Sequence, residues 1–394
     1  MVQIQGEQND TLAGWKIITL LPPISAVIQV DRNWWVFGQP ERVIAAAIPT
    51  DILPALHNLE QAVTEQGLYA VGFMAYEAAA AFNLAVHPSA PNSLPLLWFG
   101  LYHAPRIIPL TSVTPSLEAF HTSGWQPAIP RPAYLEAITQ IKAAIACGDT
   151  YQVNFTFPLH TQFEGSPRPF FDQIIQAQQA DYTAYLDLGR YTICSASPEM
   201  FFRLEGEQLW SKPMKGTMAR GRDAYTDQQN RQALYQSEKN RAENVMIVDM
   251  IRNDMGRICR TGSVKVPDLF TVEPYPTLWQ MTSTVTGCTQ ASFVEIMTAM
   301  FPCASITGAP KVRTMELIKK LELFPRGLYT GTIGYLAPGR QAQFNVAIRT
   351  AVIDKEQGRA VYGVGSGVVW DSAAAMEWDE CLLKAQVLTP TPIS

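Results

Sequence analysis

Residues 182–212 read as strand after strand: 182–189, 191–196, then a hairpin around Gly206 that ends in Lys212-Pro213, with nothing helical between them. Further runs of β-branched and aromatic residues cover 282–286, 330–336, 343–353 and 360–370. Helical periodicity falls outside these groups, near 167–179, 292–300, 310–321 and 372–385, and in one long stretch from about 227 to 257 that closes near Gly256. Strands that arrive in groups can pair antiparallel through short turns, whereas a doubly wound parallel sheet needs a crossover after nearly every strand. The pattern therefore predicts an α+β chain built on large, mainly antiparallel sheets flanked by helices.

A proline-rich joint over 122–132 carries Pro127, Pro130 and Pro132 and divides an N-terminal region, 1–121, from 133–388, with a loose tail at 389–394. Just beyond it, Leu135, Ile138, Ile141 and Ile145 recur at helical spacing, and Gly148 can end that helix. Tyr151, Val153, Phe155, Phe157 and Leu159 then alternate with Gln152, Asn154, Thr156, Pro158 and His160, which describes a strand with one polar face.

Composition removes whole function classes. Of 394 residues, 47% are apolar and only 16% charged, too apolar for a disordered chain. Net charge is −5 with no basic tract, which argues against nucleic-acid binding. Asn83, His87, Asn92 and several prolines break the uncharged run 78–105, so it cannot cross a bilayer, and the polar N-terminus lacks a signal-peptide pattern. The six cysteines are scattered, without a Cys-x-x-Cys pair, as in a reducing compartment. The expectation is a cytoplasmic protein without membrane contact. All five histidines lie within the first 160 residues. A site in the C-terminal part must then work with lysine and carboxylates rather than a Ser-His pair or His-bound metal.

Several constellations there could carry chemistry. Ser197-Pro198-Glu199 ends one strand and Pro213-Met214-Lys215-Gly216-Thr217 follows the next hairpin, so a carboxylate and an amine could face one cavity. A lysine is a nucleophile only as the neutral amine, which needs an apolar wall or a second cation nearby. On spacing alone, a solvated lysine at a turn is the better reading. Glu377, Glu380 and Lys384 share a helix, and Glu243 opens the apolar run 245–248 on another. Such carboxylates could hold one Mg²⁺, although a solvated i,i+4 salt bridge explains the same spacing. Ile306-Thr307-Gly308-Ala309-Pro310-Lys311 reads as a capped helix start with Pro310 at the first helical position, able to hold an anion. Gly363, Gly365 and Gly367 inside one strand imply a bulge or a close approach of backbone to ligand. Alternation along 343–353 puts Arg349 opposite Phe344, Val346 and Ile348, where it could fork a carboxylate.

Each signal is weak alone, but their order is not. Tyr151-Gln152-Val153-Asn154, the Glu199 and Lys215 motifs, Arg241-Ala242-Glu243-Asn244, Arg252-Asn253-Asp254, the Thr307-Gly308 segment, Arg349, the glycine strand and Glu377-x-x-Glu380-x-x-x-Lys384 follow one another over about 130–388. In this the chain resembles the chorismate-utilising enzymes. The resemblance implies a two-lobed sandwich with chorismate and Mg²⁺ between the lobes. Lysine before Gly216-Thr217, where anthranilate synthases usually have alanine, resembles the branch that forms 4-amino-4-deoxychorismate on the way to para-aminobenzoate and folate. For that branch the resemblance implies that Lys215 attacks C2 of chorismate while Glu199 protonates the departing C4 hydroxyl, after which ammonia adds at C4. It further implies Mg²⁺ on Glu243 and Glu380, with Glu377 acting through water. Thr217 would join the catalytic group, and Arg349, Lys384, Gly365, Gly367, Thr307, Gly308 and Tyr329 would bind substrate.

Two departures stand out. Many relatives place a histidine where this chain has Gln280, which would hurt pyruvate elimination most. The Leu-Leu-Glu-Ser signature of tryptophan-inhibited relatives has no match, Leu20-Leu21-Pro22-Pro23 occupying a comparable place, so weak or absent tryptophan inhibition is expected. No Gly-x-Cys-x-Gly elbow is present, and the resemblance implies that ammonia comes from a separate glutamine amidotransferase subunit, with free ammonia as a substitute. Rival readings are an anthranilate synthase component, an isochorismate- or salicylate-forming enzyme using water, and a non-catalytic chorismate-binding paralogue.

Overall fold

The grouped strands pair antiparallel, and they do so in two sheets. A computed structural model describes residues 25–388 apart from 90–92, 113–115, 117 and 276–277. The Leu20–Pro23 segment and the 389–394 tail therefore lie outside the described residues. One sheet has 11 strands, and its main path runs Gly308–Ala309, Gln152–Gly165, Arg359–Val368, Thr350–Asp354, Tyr191–Ser197, Tyr182–Asp187, Ala26–Val30, Asn33–Phe37 and Arg106–Pro109. The other has 10 strands, with Met214–Ala219 at one end, Leu278–Cys288, Gln208–Lys212, Met200–Glu205, Gln341–Val346 and Thr332–Ala337 in the middle, and Tyr69–Met74, Leu97–Tyr102 and Arg42–Ala46 beyond. N-terminal strands thus complete both sheets. The proline-rich joint is laid along the long strand, with Phe120–Thr122 and Gln126–Pro127 both pairing with Gln152–Gly165.

Alternation decides which face each strand buries. Phe155, Phe157 and Leu159 pack outward with Tyr362 and Val364 under the helices Arg131–Ala146, Pro167–Gln178 and Ala374–Lys384. The polar residues of the same strand, Gln152, Asn154 and Thr156, face inward, toward the second sheet. A separate core of Ile28, Phe73, Leu186, Ile193, Ile333 and Tyr335 fills the space between the sheets. The helix that carries Glu377 and Glu380 is seated by Trp378, whose ring stacks on Phe157 at 5.0 Å. Among the described residues no helix is long and apolar enough to cross a membrane.

Four sequence expectations change. The long helical stretch is two helices, Ala224–Gln236 and Glu238–Gly256, because Ser237 leaves helical geometry and its side chain caps the second at Asn240. The strand Lys265–Pro274 has no counterpart among the sequence expectations; its start, Lys265-Val266-Pro267-Asp268, hides the alternation. Pro310 is the residue before the helix Lys311–Leu321, not its first turn, and no side chain caps that helix. The run 343–353 is two strands, Gln341–Val346 and Thr350–Asp354, in different sheets.

Candidate functional site

Two of the steps that the chain makes between the sheets touch each other, and the site forms there. Glu199 lies in the step from Tyr191–Ser197 to Met200–Glu205, and Arg349 in the return step from Gln341–Val346 to Thr350–Asp354. The Val346 amide donates to the Glu199 carbonyl at 3.0 Å, and the Ala196 amide to the Arg349 carbonyl at 3.0 Å. Ser197 Oγ donates to the Val346 carbonyl at 2.6 Å. Leaving one ladder for another requires a bend, and Arg349 adopts φ +51° there. The strand alternation expected for Arg349 therefore does not apply. Its guanidinium instead donates through Nη1 to the carbonyl of Lys384, at the C-terminal end of the helix Ala374–Lys384.

Lys215 comes from the strand Met214–Ala219 and meets the glycine strand head-on. A Cβ at position 367 would stand 3.1 Å from Lys215 Nζ and 3.0 Å from Gln152 Nε2, so glycine lets the amine and the amide both come close to the strand without shifting. Glu199 is 4% exposed. Burial pushes its carboxyl above the ordinary range; a hydrogen bond from Ser305 and the charge of Lys215 offset this only in part. Glu199 Oε1 and both polar atoms of the Gln152 carboxamide are buried without a hydrogen-bond partner. Native structures seldom leave buried polar atoms unpaired away from functional sites.

A second charged group lies opposite. Glu243 projects from the helix Glu238–Gly256, and Glu377 and Glu380 from Ala374–Lys384. Burial raises the Glu243 carboxyl, Lys215 and Lys239 pull it down, and Glu377 and Glu380 raise it further. Burial also works to raise Glu380, but Lys384, in contact at 2.6 Å, together with Lys215 and Arg349 holds it below its ordinary value. Lys384 Nζ also donates to the Gly365 carbonyl at 2.8 Å. Among the described residues no group of three or more His, Cys, Asp or Glu side chains stands close enough to hold a metal ion, Glu380 being drawn to Lys384. The donor chemistry nevertheless fits Mg²⁺: Glu243 feels the negative charges of both Glu377 and Glu380, and the three side chains offer oxygen donors only.

The remaining sequence candidates surround this centre. Thr217 is exposed and donates its hydroxyl to Gln280 Oε1 at 3.2 Å. Thr307 is fully buried, with its hydroxyl on the Cys303 and Ala304 carbonyls. Gly308 pairs with Val153 at the sheet edge, next to Gln152. Tyr329 packs against Gly363, and burial keeps its phenol strongly protonated. Beyond Tyr329 opens a cavity of about 1040 Å³ between the strands Gln152–Gly165 and Arg359–Val368 and the helix Arg131–Ala146. Lys215, Glu199, Arg349 and the three glutamates are not among its walls, so it adjoins the site without containing it. Sequence reasoning gave no role to Gln152 or Ser305, although Gln152 stood in the strand's inward register.

Fold and site together define an α+β enzyme class: two large antiparallel sheets with a lysine, a buried acid and a carboxylate cluster at their crossing. The family described as chorismate binding enzyme matches residues 26–390, and the chain belongs to it. Aminodeoxychorismate synthase component 1 of Salmonella typhimurium is 36% identical over 347 residues, 82% of this chain and 76% of that protein. The Escherichia coli protein of the same name is 40% identical over 261 residues, 66% of this chain and 57% of its own length. Anthranilate synthase component I of Streptococcus pneumoniae superposes with a TM-score of 0.78 at 24% identity, covering 96% of this chain and 95% of that one, which supports the fold.

Proposed function

We propose that this chain is an aminodeoxychorismate synthase component I, converting chorismate and ammonia to 4-amino-4-deoxychorismate. The observation that carries the reading is Lys215 Nζ lodged against Gly367, with a buried Glu199 whose carboxyl burial raises and an unpaired Gln152 amide around it. The names and identities of the Salmonella and Escherichia coli relatives support the same choice.

In this reading the neutral Lys215 amine forms a bond to C2 of chorismate. The ring electrons shift, and the C4–oxygen bond breaks as Glu199 delivers its proton, so the hydroxyl leaves as water. A raised carboxyl suits that acid role, because more of it stays protonated near neutrality. Ammonia then bonds to C4, the electrons shift back, the C2–nitrogen bond breaks, and the proton shed by the new amine returns to Glu199. Atoms and charge balance, and lysine is regenerated. Arg349 and Lys384 would bind the substrate carboxylates, with the glycine strand lying close enough for its backbone to approach the ring. Glu243 and Glu380, with Glu377 behind them, would hold Mg²⁺. The bound ion would offset the charge of a dianionic substrate. Ammonia would come from a separate glutamine amidotransferase subunit in the cytoplasm.

The test is direct. The purified chain is incubated with chorismate, Mg²⁺ and an ammonium salt at mildly alkaline pH, and products are identified by mass. Aminodeoxychorismate that disappears in Lys215→Ala is the expected result; anthranilate as the main product overturns the reading.

A further inference from the structure

Lys215 does not sit in a regular strand. Along the pairing of Met214–Ala219 with Leu278–Cys288, Met214 faces Thr282 and Thr217 faces Gln280, so Lys215 and Gly216 together oppose the single residue Met281. That is a β-bulge, a device that turns one side chain out of strand register and leaves part of the ladder unpaired. Gly216 takes φ +89°, which disfavours any residue with a side chain, and a Cβ there would press to 2.9 Å on the Asn240 side chain of the helix Glu238–Gly256. The bulge is thus wedged against the helix that carries Glu243.

An extra residue in a strand needs something to hold it. Gln280 supplies this from the facing strand: Nε2 donates to the Gly216 carbonyl at 2.9 Å, and Oε1 accepts from Thr217 Oγ1 at 3.2 Å. One carboxamide therefore pairs with both the bulge carbonyl and the side chain that follows it. Removing it would leave the Gly216 carbonyl and the Thr217 hydroxyl to water, and the bulge could relax toward regular alternation. Relaxation by one residue would swing the Lys215 amine to the other face of the sheet.

We propose that Gln280 is a positioning residue: by bridging Gly216 and Thr217 it locks the bulge that aims Lys215 at Glu199, Gly367 and Glu243. Gln280 touches no reacting atom in this arrangement and works only through Lys215. The inference rests on the reaction proposed above, but one of its readouts does not.

Gln280→Leu keeps a side chain of similar volume, one bond shorter, and removes both hydrogen bonds. Misplacing a nucleophile by about 1 Å can lower turnover roughly 100-fold, so kcat for amination should fall by about 10- to 100-fold while KM for chorismate stays within about 3-fold. Gln280→His restores one N–H donor and one acceptor and should return kcat to within about 5-fold of the unaltered chain. Thr217→Val removes only one of the two bonds and should give a smaller loss in the same direction. Independently of turnover, the rate at which cyanate carbamoylates Lys215, followed by peptide mass, should change at least about 3-fold in Gln280→Leu and return in Gln280→His. A kcat within about 2-fold, a change in KM alone, or unaltered Lys215 reactivity in the leucine variant overturns the proposal. If the unaltered chain makes no aminodeoxychorismate, the reaction reading fails, and the Lys215 reactivities still decide the role of Gln280.

Discussion

Two buried polar clusters lie near each other in this protein and are built on opposite terms. Around Arg326 nearly everything is paired. Its guanidinium reaches Glu322 at 2.7 and 2.9 Å, the Ile306 carbonyl at 2.8 Å, Thr330 Oγ1 at 3.2 Å and the Asn154 carbonyl at 2.7 Å, and lies 4.5 Å over the Tyr76 ring. Glu322 Oε1 also takes the Thr156 amide and hydroxyl, each at 2.9 Å. Of the groups around it, the Tyr76 hydroxyl is the one left without a partner. At Lys215 the order reverses: a buried carboxyl oxygen and a whole buried carboxamide have no partner. The first cluster completes the open edge of the strand Gln152–Gly165 and ties it to the 304–308 segment. The second leaves its hydrogen-bonding capacity for something else, as a substrate site must.

Substitutions can sharpen or break that contrast. The largest effect belongs to the open cluster. Lys215→Ala should lower aminodeoxychorismate formation by about 1000-fold or more while melting within a few degrees of the unaltered chain, read by product mass and calorimetry. A large loss of stability instead would mean that Lys215 serves the fold.

Next is the closed cluster. Arg326→Leu strands Glu322, 2% exposed, without its counter-charge. Denaturant unfolding should show a loss of about 3–5 kcal/mol, with most of it recovered when Glu322→Leu is added. A loss under about 1 kcal/mol, accompanied by reduced activity, would move Arg326 from scaffold to site.

Glu77 gives the closed cluster a pH signature. Its carboxyl accepts the Arg326 amide at 2.7 Å, yet burial pushes it from 4.5 up to about 7 against the hydrogen bonds that hold it down. A carboxyl raised in the folded state contributes stability that is complete below its unfolded value and is lost as pH rises through the folded one. The unaltered chain should therefore lose stability between about pH 5 and 8 relative to Glu77→Gln, by on the order of 2–3 kcal/mol. Parallel stability–pH curves for the two would show that Glu77 is ionised throughout.

The contrast also explains what sequence could disclose. Lys215, Glu199, Glu243 and Glu380 stand in local motifs whose order along the chain is itself informative, and the grouped strands foretold antiparallel sheets. Arg326 and Glu322 are four residues apart without sharing a helix, and their other partners come from residues 76, 154, 156, 306 and 330. No window of sequence contains that arrangement. Arg349 was placed by alternation, which holds only while a strand stays in one sheet. Ser237 broke a helix that periodicity alone continued, because a cap competes through a side-chain hydrogen bond that apolar spacing does not register.

The smallest effect tests the idea most finely, because it concerns an atom group rather than a charge. Gln152 is fully buried, with neither amide atom paired, and its nitrogen stands beside the place where Lys215 Nζ meets Gly367. An unpaired buried amide costs about 1–3 kcal/mol, and an apolar replacement of similar shape removes that cost. Gln152→Leu should therefore unfold at slightly higher denaturant, by about 1 kcal/mol, while product formation falls about 10-fold. In the closed cluster the analogous exchange works the other way, since Thr156→Val removes a hydroxyl that Glu322 accepts and should lose stability without touching Lys215. Opposite signs of stability change at two positions on one strand face, four residues apart, would separate a group kept for substrate from a group kept for the fold. If Gln152→Leu is both less stable and fully active, its amide has a partner within the folded chain and belongs with Arg326.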